Sequence, residues 1–500
     1  MLDYRSPLER LYNKLGAMIK ADALPLISGL LFGLLAHMFV ITNKLMNADE
    51  IAAIYSKGAT IDSGRWALEA LRYVFPDLSL PWLWGLMTIV LITIASCLTL
   101  RIFEVKHKFH RWLLPALFVT FPSLTGTMCF MFTSNSYGLA FFLAVFSVWA
   151  FVKLENRPIA WLLSCACLAF SIGVYQAYIA ISASFFVLLM VQRLLEKEDE
   201  RKVFAFGLSC VAMLVLSLVV YYGINILVVK LCGGNILGYA FEEERGFLHR
   251  IALAYNALYR SLFSGYFGFI NSKVSMFAHF VALGICAVLM LRELAQLKEI
   301  KKVLLLLLCV AVLPLSMNCL FLISSAEIIH SLVLYSFVAL YVFAVILLER
   351  VDTVKLCNAR DVVVLCMLAV VVCNTFFANK VYLKMHIQYE NAFAFYTTVL
   401  SDIYDSPDYD KEKKLLLIGN YADTPKYEHF DVNDFFGPSE NLINSYTKSY
   451  FFVNYIGYAG PLYDGYEWEI ENDPRIVEMP AYPEAGSIKC IDDLLVVKLG

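Results

Sequence analysis

The chain has 500 residues, 60% of them hydrophobic and 17% charged, with a net charge of −3; soluble domains run at roughly 45–50% apolar and about 25% charged. One soluble core cannot hide that excess, so it must face lipid, and the lack of any long basic run argues against nucleic acid as a partner. Of the 13 cysteines, only Cys232 and Cys490 fall in segments expected outside the membrane, so the rest read as small buried hydrophobes and no disulfide framework is indicated.

Uncharged runs occur in order at 23–43, 78–100, 112–152, 158–192, 203–229, 274–291, 303–326, 328–348 and 362–379. A membrane span needs about 20 apolar residues. The run 112–152 is too long for one span and is expected to split near Pro122 to Asn135. The run 158–192 would reach roughly 52 Å as one helix, so a second split is expected at Gly173–Gln176. About eleven transmembrane helices result. The first run has a core of about 19 residues, longer than a signal-peptide core of about 7–15, and no small-x-small cleavage site follows it, so it is read as an anchor.

Charge tests the parity. With the N-terminus inside, the segments 1–21, 101–111, 153–158, 193–202, 292–302 and 349–360 are cytoplasmic and hold 21 of the 40 Lys and Arg. The outer loops hold 9 and the tail 10. This is the positive-inside pattern, and it survives only if both long runs split. The expected fold class is therefore an α-helical polytopic membrane protein with a small C-terminal α+β domain outside. Residues 1–379 form the transmembrane part and 380–500 the extracytoplasmic domain.

Three segments lie on the outer side: the loop 42–81, the loop 231–273 and the tail. The second loop has apolar residues at helical spacing, Ile251, Ala254, Leu258 and Leu262, which suggests an interfacial amphipathic helix. The tail holds 14 of the 29 tyrosines, plus Trp468. The runs 414–420 and 487–498 read as strands, the latter as a hairpin around Asp492 and Asp493. Aromatic faces with hydroxyls suit sugars, so the tail is a candidate for holding a glycan; plain structural packing explains it equally well.

The first outer loop carries the most chemistry. Asp49 and Glu50 come directly after the first span, and neighbouring carboxylates at a low-dielectric border suit a general base. The blander account is a solvated helix end. Ser63-Gly64-Arg65-Trp66 follows: an Arg can clamp a phosphate with its fork of donors, and a Trp sits well at the interface, though together they are also an ordinary anchor pair. Trp66, Tyr175, Gln176 and Arg245 are possible substrate contacts. Glu327 and His330 flank the start of a late span. His37, inside the first, is read as hydrogen-bonded packing. No cluster has zinc spacing and no glycine loop cradles a phosphate, so no cofactor is expected, and a substrate delivered within the membrane is favoured over a soluble nucleotide.

The N-x-Asp-acid sequence at Asn47–Glu50, the following SGRW and the ending MPAYPEAGSIKCIDDLLVVKL resemble the bacterial glucosyltransferases of the phage type II O-antigen modification group. That resemblance implies a GT-C glycosyltransferase of the bacterial cytoplasmic membrane. It would use a polyprenyl-phosphate-linked sugar, usually glucose, and a surface polysaccharide acceptor. The GT-C pattern places an essential acid in the first outer loop, which here falls on Asp49 with Glu50 beside it. Two other readings stay open. One is a surface-polysaccharide polymerase or ligase, for which the middle loop offers Arg245, His249, Arg250 and Arg260. The other is a lipid-linked sugar flippase, although no paired halves with interrupted helices are found.

Overall fold

The computed structural model of the protein describes residues 6–52, 60–76, 78–232, 246–323, 330–351, 357–423, 430, 432, 435 and 441–500. Arg245 and Glu327 lie outside these. In chain order the helices are α1 (Pro7–Ala21), α2 (Ala23–Thr42), the short α3 (Ala48–Ala52) and α4 (Trp66–Leu71), α5 (Pro81–Ile102), α6 (Lys108–Val119), α7 (Pro122–Met128), α8 (Met131–Lys153), α9 (Arg157–Val174), α10 (Ile179–Leu195), α11 (Glu200–Cys232), α12 (Phe247–Phe263), α13 (Lys273–Gln296), α14 (Ile300–Met317), α15 (Leu320–Ile323), α16 (Val338–Leu348) and α17 (Cys357–Asp405).

Among the described residues, ten helices are long and apolar enough to cross a membrane, one fewer than the sequence suggests. The difference lies in 108–128. There α6 and α7 are each too short to span alone, and they meet at Phe121, whose backbone is extended (φ −60°, ψ 136°) because Pro122 follows it. The second expected break is also present. Helix α9 stops at Val174, Tyr175 is extended, and a single turn at Gln176–Tyr178 leads into α10.

The six basic segments gather at one end of the bundle. Asp22 pairs with Arg101 at 2.6 Å and Arg111 at 3.1 Å. Glu349 accepts from the Lys106 and His107 amides and contacts His110 at 2.6 Å. Lys153 pairs with Glu104 at 2.6 Å. Gln192 donates to Phe103 O, Lys302 to Lys197 O, and Arg350 to both Glu293 and Leu195 O. Helices that all return their charged ends to one layer must alternate in direction, which α6–α7 and the α9/α10 break make possible.

Packing sorts the helices. Of the most apolar window in Ser331–Leu348, 83% is buried, against 28% in α11 and in α13. Helix α16 is therefore central, while the apolar outer faces of α11 and α13, such as Leu208, Val219 and Val288, point away from protein. Gly29 and Gly33, one turn apart on α2, face α5 so closely that a Cβ on either would sit 2.5 Å from the side chain of Thr93 or Ile89. Close backbone approach through small residues is how helices pack in lipid, where hydrophobicity does not drive them together. His37 is fully buried, with its ring nitrogens 2.7 Å from Tyr382 Oη and from Val119 O, a satisfied packing residue. Helix α12 forms where amphipathic spacing was expected. It turns Ala254 and Ala257 inward and is tied down where Asn318 donates to Ala254 O.

Helix α17 has 49 residues, roughly 74 Å long and well beyond a bilayer of about 40–45 Å with headgroups. It passes residue 380 without a break, so the transmembrane part and the tail share a helix. Its last turns bury Ala392, Tyr396, Val399 and Ile403 against Leu415, Leu417, Leu495 and Val497. Those residues belong to a three-stranded sheet: β1 (Lys414–Ile418), β2 (Ile488–Ile491) and β3 (Leu494–Lys498), in the order β1-β3-β2. Strands β1 and β3 run parallel, with Leu416 opposite Val496. Strands β2 and β3 form the hairpin expected at Asp492-Asp493, with Asp492 at φ 54°.

Candidate active site at the far end of the bundle

The loop after α2 folds by a short-range rule. Asn47 caps α3: its Oδ1 accepts the Glu50 amide at 2.8 Å, and its Nδ2 donates to Cys129 O. With Asn47 as cap, Asp49 and Glu50 occupy the second and third helical positions and point in different directions. Asp49 is solvent-exposed, whereas Glu50 is 0% exposed. The Glu50 carboxyl is hydrogen-bonded by the Ser79 hydroxyl, just before α5, so it joins the two ends of the 42–81 loop.

The two carboxyls also differ electrostatically. Burial pushes Glu50 up to about 7, against the opposing pull of Ser79, Lys44 and the Met131 amide. Asp49 is also raised, because the surrounding protein removes much of its water. A hydrogen bond from Tyr446 and the charge of Arg65 work against that. The Tyr446 Oη–Asp49 Oδ1 distance is 3.5 Å, and Tyr446 belongs to the tail. The tail touches this loop elsewhere too, where Asn454 donates to Ile51 O at 3.1 Å and the Lys44 amine lies 5.4 Å from the Tyr455 ring centroid.

Arg65 is set by a built turn. Its amide donates to Thr60 O at 2.8 Å, and Gly64 takes φ 70°, a left-handed value that glycine adopts without strain. The turn is clamped from the bundle: Gln176 Nε2 donates to Ser63 O at 2.7 Å, and Tyr221 Oη to Gly64 O at 3.0 Å. The Arg65 side chain donates to Tyr137 Oη at 3.3 Å and lies 5.4 Å from the Tyr175 ring centroid, while Tyr137 and Tyr175 stack at 4.7 Å. Trp66 packs edge-on against Phe170, over Gly173. His330 is close enough for the charge of Arg65 to help burial push its imidazole down to about 4.

Of the sequence candidates, Asp49, Glu50 and Arg65 come to one end of the bundle, opposite the basic layer. Tyr175 and Gln176 sit beneath Arg65 and hold its loop, and Trp66 anchors the same loop. Arg245 is outside the described residues, so the middle-loop alternative has no geometry to weigh. Tyr137, Tyr221, Ser79 and Tyr446 escaped the sequence reading. Each is an ordinary residue in or beside a span or in the tail, and no local pattern singles it out. Among the described residues, no group of three or more His, Cys, Asp or Glu could hold a metal ion.

Comparison with known proteins adds one finding. A family model described as Glucosyl transferase GtrII matches residues 38–348, well over half of the chain and including Asn47, Asp49, Glu50, Arg65, Tyr175 and Gln176. No curated protein and no solved structure shows significant similarity to the chain.

Proposed function

The chain belongs to the glucosyl transferase GtrII family, and from that premise we propose that it moves glucose from a polyprenyl-phosphate carrier to a surface polysaccharide such as O-antigen, on the outer face of the bacterial cytoplasmic membrane. The observation that carries this reading is an exposed, raised carboxyl at Asp49 within electrostatic reach of the Arg65 guanidinium, at the end of the bundle away from the basic layer. The positive-inside rule puts that basic layer in the cytoplasm and the carboxyl outside. The bundle is then the catalytic domain and the tail an extracytoplasmic domain joined through α17.

In this mechanism Asp49 takes the proton from an acceptor hydroxyl. The freed oxygen attacks the anomeric carbon of the donor glucose and forms the glycosidic bond. The bond from that carbon to the phosphate oxygen breaks, and the phosphate leaves with the electron pair. Arg65, held by Tyr137 and the stacked Tyr175, offsets the growing charge. A single displacement inverts the anomeric centre. The donor arrives by lateral diffusion in the bilayer, so no nucleotide pocket is required. Glu50, without exposed surface, cannot reach an acceptor; it orients α3 and through it Asp49.

The test is Asp49→Asn assayed with polyprenyl-phosphate glucose and the native polysaccharide. Removing a general base costs about 10²–10⁴ in rate, so transfer should collapse while expression and insertion persist. Transfer at a near wild-type rate would overturn the assignment.

A further inference from the structure

Beyond the stretch matched by the family model, the tail domain carries an open cleft of about 500 Å³, in the range of roughly 300–1,000 Å³ typical of ligand sites. The end of β1, Ser445 and the turn at 467–471 form its walls. Trp468 lies on the rim, 66% exposed, its ring nearly parallel to that of Tyr466, itself 68% exposed, with centroids 5.8 Å apart and planes at 19°. Trp468 is the ring of this pair that lines the cleft, and with Tyr466 stacked beside it offers a flat apolar face.

The charges of the cleft narrow the ligand. The amine of Lys498 donates to Val477 O and Met479 O, both at 2.8 Å. Behind the wall, buried Lys448 pairs with Glu467 at 2.7 Å and donates to Gly419 O at 2.9 Å. Glu467 also accepts the Gly419 amide at 3.2 Å. The charge of Lys448 is thus matched by Glu467, and Lys498 has two of its three N–H groups on carbonyls. The exposed groups left on the cleft are the amide of Asn420, the hydroxyl of Ser445 and the carboxylate of Glu471. Among the described lining residues Lys498 is the one cation, already tied to two carbonyls, and a phosphate beside it would also meet the Glu471 carboxylate. A neutral pyranose has a C–H face for the aromatic platform and a rim of hydroxyls for the amide, hydroxyl and carboxylate.

One wall of the cleft is a sequence neighbour of the candidate active site. Ser445 in its wall is followed by Tyr446, the residue that reaches Asp49. Tyr446 and Tyr450 are each about half exposed, with rings 6.5 Å apart. We propose that the cleft is a subsite for a neutral oligosaccharide stretch of the acceptor, with Trp468 and Tyr466 as its stacking platform and Asn420, Ser445 and Glu471 as its hydrogen-bonding groups. The identification of the ligand as acceptor rests on the glucosyltransferase reading above.

The test uses the full chain in detergent. The probe is the oligosaccharide released by mild acid from the lipopolysaccharide of the source strain, fluorescently tagged and followed by anisotropy. Trp468→Ala should weaken binding by about tenfold or more (about 1.4 kcal/mol), and Trp468→Phe should retain most of it. In the transfer assay, Trp468→Ala should raise KM for the acceptor with kcat unchanged. Wild-type protein that fails to bind the probe, or equal binding by Trp468→Ala, would overturn the subsite. Trp468-dependent binding without any glucose transfer would instead remove the transferase reading and leave the subsite standing.

Discussion

Replacing Glu50 by Gln measures what a buried carboxyl costs this loop. Glu50 has no exposed surface, and its carboxyl titrates at about 7 in the folded protein against 4.5 in the unfolded chain. Because the folded value is the higher one, the folded protein holds the proton more tightly. The cost of ionising Glu50 is thus absent below the unfolded value, grows as pH rises between the two, and is complete above the folded value. The rise from 4.5 to about 7, at roughly 1.4 kcal/mol for each tenfold change in proton affinity, makes the full cost about 3.5 kcal/mol. Gln has nearly the same volume, can accept the Ser79 hydrogen bond and carries no charge. Lys44 loses the attraction of the Glu50 carboxylate in this variant, a smaller effect than burial on either group. The apparent Tm of the detergent-solubilised Glu50→Gln protein should therefore match wild type near pH 4.5 and exceed it above pH 7. Transfer activity should fall less than in Asp49→Asn. A Gln variant less stable than wild type above pH 7, by as much as at the acid end or more, would refute the claim that burial of the charge dominates at this position.

Gly64→Ala should damage the site without touching a reacting group. A Cβ there would sit 2.7 Å from Tyr221 Oη on a backbone at φ 70°, a conformation costing roughly 1–2 kcal/mol for a residue with a side chain. The Arg65 turn should shift, and KM for polyprenyl-phosphate glucose should rise in steady-state assays of a normally inserted protein; an unchanged KM would separate Arg65 from the donor. A topology reporter fused after Gly500 should be active only outside the cytoplasm. Activity only in the cytoplasm would invert the membrane orientation and move Asp49 to the wrong side for a carrier-linked donor.

Much of the bundle can be read from local pattern. A run such as 203–229 is apolar on every side, and only lipid tolerates that, so the spans declare themselves from composition. The basic residues of 101–111 and 193–202 mark which ends must lie together, and the Asp22, Glu349 and Arg350 contacts hold those ends in one layer. The cap at Asn47, although not singled out in the sequence, is local, and through it the divergence of Asp49 and Glu50, because capping acts within three residues. The turn at Asp492-Asp493 is equally local. Helix α17 was harder to see. Past residue 380 its apolar face narrows to Ala392, Tyr396, Val399 and Ile403, the stripe of a helix leaving lipid for a soluble core, and span hydropathy does not register it.

The sequence by itself therefore determined where the chain meets lipid, which loops share a side and which loop carries an acid beside the membrane, since each depends on neighbours a few residues away. Only the tertiary structure decided which acid is exposed, what steadies Arg65 and that the tail reaches the site. Tyr446 lies 397 residues from Asp49 in sequence and 3.5 Å from it in space. Gln176 and Tyr221 grip the Arg65 turn from two different helical segments. Periodicity and composition report the environment of a residue, lipid or water, core or surface. Which distant residue shares that environment is fixed by the order in which the helices pack, and no local signal carries that order.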